Sequence, residues 1–143
     1  MSYEDYEIES EAIRGENRVL LEGFEKWLRQ SGLKEKTIKK HSQNTDFYIN
    51  HYLLYDSCTP AKEGISSING FFNWFFPRKA MWSSRASVKE TAASLKKFYK
   101  YLSEMGVMPP ADYLFLLAEI KSEMTEWLGH YENEYEWLYE SGT

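Results

Sequence analysis

The sequence predicts an all-α fold, a single compact bundle of four to six helices. Three observations predict it: apolar residues recur at helical spacing in successive stretches, glycine or proline closes those stretches, and no β-hairpin dipeptide stands between alternating runs. The chain has 143 residues, 43% of them hydrophobic and 17% aromatic. A chain of that size forms one domain that buries roughly 68–70% of its unfolded surface, here around a ring-rich core. No internal repeat is present.

Residues 1–12 carry five acids and no bases with little periodicity, and are expected to form a mobile acidic tail. Residues 13–143 are read as a single helical domain. Helix one runs from about Glu16 to Ser31 on Leu20, Phe24, Trp27 and Leu28, with Gly32 as its stop. Gly15 and Gly23 each weaken it by up to about 1 kcal/mol relative to alanine. Helix two begins near Lys34 and runs to about Tyr55, with Ile38, Thr45, Ile49 and Tyr52 on one side. Asp56 to Gly64 is a connection in which Thr59 and Pro60 resemble an N-cap and first helical position, and Gly64 closes a short turn.

Helix three starts at Ser66 or Ser67, carries Ile68, Phe71, Phe72, Phe75 and Phe76 on its core face, and ends at Pro77. Trp82 follows in a loop beside Arg78 and Lys79. It is the better candidate for base stacking, although a buried anchor is the commoner role of such a residue. Helix four, Ser84 to Gly106, places Val88, Ala92, Leu95, Tyr99 and Leu102 on an apolar face; Ser87 and Glu90 read as a capping box and Gly106 as the stop. Pro109 and Pro110 open a last long helix near Ala111, where Tyr113, Leu117, Ile120, Met124, Trp127 and Tyr131 keep heptad spacing. That seam either closes the intrachain core, the simpler expectation, or pairs with another protomer. Beyond Gly129 the sequence is acidic and aromatic.

The net charge of −5 conceals a partition. Residues 1–25 hold two basic and eight acidic side chains, residues 26–100 fourteen and five, and residues 101–143 one and nine. Within the basic middle, Lys36, Lys39 and Lys40 cluster in the first turns of helix two, where cations oppose the helix dipole. Arg85, Lys89, Lys96 and Lys100 form a stripe on helix four. A solvated face accounts for any one of these runs; the segregation of charge suggests an anionic partner.

Cys58, His41, His51 and His130 lie at spacings that suit neither a disulfide framework nor a zinc site, and no metal or cofactor is expected. The acidic N-terminus lacks the apolar core of a signal peptide and no run approaches a membrane span, which predicts a soluble cytoplasmic protein with no membrane partner. A Gly-rich phosphate loop and a recognisable nucleophile–base set are both lacking, so no enzymatic activity is expected.

Two stretches resemble the N-terminal, SAM-like core-binding domain of tyrosine recombinases, the phage-integrase group. FEKWLRQSGLKEKTIKKHSQNTDFYINHYL matches that family's helix, Gly-Leu turn, threonine after a charged pair and amphipathic helix, best at Thr37 and Ile38. SRASVKETAASLKKFYKYLSEMGVM is similar to the family's fourth helix at Leu95, Phe98, Tyr99 and Leu102. The resemblance covers residues 16–108, leaving 109–143 as a C-terminal long helix and acidic tail. His41 and Thr45 depart from it, standing where the family has an aromatic residue and a leucine. The resemblance implies a domain that clasps duplex DNA through its second and fourth helices, so that Lys36, Lys39, Lys40, Arg85, Lys89, Lys96 and Lys100 become candidate DNA contacts, here without the catalytic domain. No His-x-x-Arg element of that domain is present, since Asn44, Leu54 and Asn133 follow the three histidines at that interval. The expectation is therefore a non-catalytic DNA-binding module. The alternative is a helical protein-interaction module, using the acidic C-terminal helix to dock a partner or a second copy.

Overall fold

Helix α1 spans Tyr3–Gln30 in the computed structural model, which describes residues 2–131. It is followed by α2 (Glu35–Asp46), α3 (Ile68–Gly70), α4 (Phe76–Lys79), α5 (Arg85–Glu104) and α6 (Pro110–Leu128). A wider π-helical turn, Phe47–Tyr52, continues α2; another, Phe71–Phe75, joins α3 to α4; and a 3-10 segment, Ala61–Ser67, leads into α3. The stretches 35–52 and 61–79 are thus two irregular helical rods. With α1, α5 and α6 they make an all-α bundle of five helical stretches, with no strand among the described residues.

The fourth predicted helix, α5, is the axis. It packs against α1, α2 and α6, and its Leu95, Phe98, Tyr99 and Leu102 are fully buried. Phe24 of α1 meets Phe98 edge-on, with ring centroids 5.3 Å apart. On the α6 side, Trp127 stacks on Phe72 at 4.5 Å and donates its indole N–H to Asn69 Oδ1 at 2.9 Å. The heptad seam of α6 is turned into this core except at one position: Ile120 and Trp127 are buried and Tyr113, Met124 and Tyr131 pack against the core, but Leu116 is fully buried where the spacing predicts Leu117.

Gly32 (φ 87°) and Gly106 (φ 74°) end α1 and α5 in the left-handed conformation, as the sequence predicts. In each case the residue after the glycine donates to a carbonyl five positions back, Leu33 to Leu28 at 3.3 Å and Val107 to Leu102 at 2.9 Å.

Several expectations are corrected. Residues 3–12 are turns of α1 and not a tail: Ser2 caps the helix with Asp5, Ser10 is buried, and the Tyr6 hydroxyl donates to the Leu54 carbonyl. The core-facing positions of these turns are Tyr6, Ser10, Ile13 and Asn17, so helical spacing is present but carried by polar side chains that a hydropathy pattern passes over. The cap of α5 is Ser84 paired with Ser87, one turn earlier than the Ser87–Glu90 box. Helix three does not stop at Pro77, because the Phe76 N–H reaches back five residues to Phe71 and the hydrogen-bond register changes at the position where proline lacks its donor. Nor does Gly64 close a turn; the 3-10 segment passes through it. The acidic aromatic stretch 132–143 lies outside the described residues.

Gly64 and Gly15 separate two roles of glycine. A Cβ at Gly64 would sit 2.5 Å from the Tyr99 hydroxyl and 2.7 Å from Leu53 Cδ1, whereas one at Gly15 meets nothing within 4 Å. Gly64→Ala is expected to destabilise the fold by about 1–3 kcal/mol through overpacking, and Gly15→Ala to stabilise it by roughly 0.5–1 kcal/mol. Urea unfolding midpoints at unchanged slope check both.

Candidate nucleic-acid interface

α2 and α5 meet along a seam that turns polar as it approaches solvent. The buried Ser94 hydroxyl donates to the Glu90 carbonyl at 3.1 Å. Its oxygen accepts from Asn44 Nδ2 at 3.0 Å and lies 2.7 Å from His41 Nδ1, within hydrogen-bond distance. Burial against α5, with the Lys97 charge nearby, holds His41 below the ordinary imidazole range. Lys40 Nζ lies 3.5 Å from a Glu90 carboxylate oxygen and links the two helices at the surface.

Lys36, Lys39 and Lys40 are all exposed on α2; Lys89 and Lys100 are exposed on α5, and Lys96 is half-buried. Lys36 and Lys40, one turn apart, share a face, while Lys39 points about 100° away from Lys40. Among the described residues Lys36, Lys39, Lys89, Lys96 and Lys100 have no acid within ion-pair distance. The structure adds Lys97, half-buried on α5, whose charge is near enough to the His41 ring to disfavour its protonation. Its signal in the sequence is the Lys96–Lys97 pair: consecutive helical side chains diverge by about 100°, so the second points toward the neighbouring helix.

Arg85 is used differently. Its guanidinium donates to the Leu128 carbonyl at 2.9 Å, capping the C-terminal end of α6, where a cation also complements the helix dipole. Trp82 is not a buried anchor. It remains 55% exposed, with its ring set edge-on to Phe47 at 5.0 Å. The FFNWFF run is core at Phe71, Phe72, Phe75 and Phe76, but Trp74 is 45% exposed beneath the Arg78 guanidinium, 5.8 Å from the ring centroid.

Among the described residues no group of three His, Cys, Asp or Glu side chains is placed to hold a metal ion. Likewise, no helix there is long and apolar enough to cross a membrane. Cys58 is half-buried, its Sγ 3.7 Å from the Tyr6 carbonyl, and packs the first turns of α1 onto the connection after α2. Comparison of the chain with protein-family models, curated proteins and solved structures finds no match.

Two outcomes test this geometry. Because folding disfavours the His41 imidazolium, the unfolded chain binds that proton more tightly; stability is greatest above the ordinary imidazole range and declines as pH falls through it. The unfolding temperature is expected to drop between about pH 7.5 and about pH 5.5, and to drop less in His41→Gln. Arg85→Ala is expected to cost about 1 kcal/mol by uncapping α6, read as a lower urea midpoint.

Proposed function

We propose that this chain is a non-catalytic DNA-binding module of the cytoplasm, which contacts duplex phosphates through the lysines of α2 and α5. One observation carries the reading: the exposed lysines belong to two helices that pack on each other, joined by the His41–Ser94 contact and at the surface by Lys40 and Glu90. The resemblance to the core-binding domain of tyrosine recombinases points to the same pair of helices. Lysine suits phosphate more than base edges, because its ammonium is a compact charge on a flexible stem. Affinity is then electrostatic and weakly sequence-selective, with register set by how the two helices straddle the backbone. Arg85, committed to α6, is left out of this contact set, and Lys97 joins it.

A protein-interaction module remains the second reading, and one observation favours it. Leu114 and Phe115 are 63% and 56% exposed on the outer side of α6, although Ile120 and Trp127 of the heptad seam are buried.

Fluorescence anisotropy with a labelled duplex tests the first reading. If about four phosphates are neutralised, affinity is expected to fall roughly 100-fold between about 50 and about 200 mM salt. A Lys36→Glu, Lys97→Glu, Lys100→Glu variant is expected to lose most of that affinity and slope. Binding that ignores salt, or no binding at low salt, would remove the proposal.

A further inference from the structure

A cleft of about 520 Å³ opens between α2, the start of α4, the loop that follows α4 and the start of α5, with Lys40 on its rim. Its apolar wall is Phe47, Phe76 and Trp82, and its polar rim includes Asp46, Glu90 and Lys40. That size and mixture suit a small planar ligand held by a few polar groups. Trp82 is the feature to explain. A half-exposed indole is an expensive group to leave in water, yet its loop is held firmly. The Ala80 N–H donates to the Phe76 carbonyl at 3.1 Å, the Ser83 N–H to the Ala80 carbonyl at 3.1 Å, and the Ser87 hydroxyl lies 3.2 Å from the Trp82 carbonyl. Its neighbours Phe47 and Phe76 meet it at interplanar angles of 67° and 84°, so neither ring is stacked face to face with the indole.

Asp46 and Glu90 bring carboxylate acceptors to the cleft, Asp46 with Oδ1 already accepting from Asn50 Nδ2 at 2.7 Å and Glu90 with Lys40 Nζ 3.5 Å away. Lys40 thus stands at the rim, and Lys36 lies one turn before it on the same exposed face of α2, where a phosphate outside the cleft meets cations. A nucleotide has the complementary arrangement: an aromatic ring, an edge bearing amino donors in adenine, cytosine and guanine, and a phosphate on the opposite side.

Resting on the nucleic-acid reading above, we propose that this cleft receives an unpaired nucleobase, stacked on Trp82 with its amino edge toward Asp46 and Glu90, while the α2 lysines hold its phosphate. The chain then prefers DNA in which single-stranded nucleotides adjoin a duplex over DNA that is fully paired.

Three labelled probes test it: a blunt duplex, the same duplex with a short unpaired adenine extension, and that duplex with abasic sugars in the extension. The adenine extension is expected to tighten binding about tenfold over the blunt duplex, since stacking of one base on an aromatic side chain is worth about that much. The abasic extension adds phosphates without bases and is expected to recover little of the gain. Trp82→Ala is expected to bind the blunt duplex as the wild type does and to lose the gain, with Trp82→Phe recovering part of it. Equal affinity of the wild type for blunt and extended probes overturns the cleft assignment and leaves duplex binding standing. So does a gain that survives in Trp82→Ala, or one that the abasic probe reproduces. No binding to any probe overturns both.

Discussion

The hydroxyls of Tyr48 and Tyr99 converge on the 3-10 segment, and the position of everything around them follows. Tyr48, on the π turn after α2, donates to the Gly64 carbonyl at 2.5 Å; Tyr99, on α5, donates to the Ala61 carbonyl at 2.7 Å. Both phenols are fully buried and burial pushes their pKa values up, so they stay neutral donors. A 3-10 segment leaves carbonyls poorly satisfied, and in a dry interior each would be costly without these partners. The absence of a side chain at Gly64 lets the rings approach. Three stretches distant in sequence are thereby fixed at one point, and the angle at which α2 lies on α5 is set beneath the surface that carries the lysines.

A second polar device supports the same rod from its other side. Asn17 of α1, buried, donates to the Ile49 carbonyl at 3.3 Å and to Asn50 Oδ1 at 2.8 Å, where the π turn widens the helix. Such turns change the phase of the side chains that follow, and here they bring Phe47, Tyr48 and Tyr52 against Phe71 and Phe75 of the second rod. Aromatic rings meeting mostly at oblique or perpendicular angles fill a core that aliphatic residues at regular α spacing would fill differently. The polar seam of His41, Asn44 and Ser94 lies above this packing, so the surface cations rest on a framework held by both rings and hydrogen bonds.

The bundle was legible in the sequence where apolar side chains mark the buried face. Val88, Ala92, Leu95, Tyr99 and Leu102 stand inward on α5 at the positions their spacing predicts, and Gly32 and Gly106 end their helices for the conformational reason assigned to them. Legibility failed where polar residues do the work of the core. The first turns of α1 face inward through Tyr6, Ser10 and Asn17, whose value lies in a specific acceptor on another element, and no local pattern reveals that acceptor. The π turns escaped for a related reason, since their spacing depends on the rings across from them. On the candidate surface, the exposure of Lys36, Lys39, Lys40, Lys89 and Lys100 agrees with the sequence reading. The engagement of Arg85 with α6 and the place of Lys97 required the neighbouring helices to be known.

The contact between Tyr6 and the Leu54 carbonyl bears on the order in which the chain is made. A ribosome releases the first turns of α1 before residue 54, so for that interval the carbonyl that accepts from Tyr6 has not yet been synthesised. The first turns of α1 are thus made before the carbonyl that holds them, and Tyr6 fastens them to the connection that follows the α2 rod.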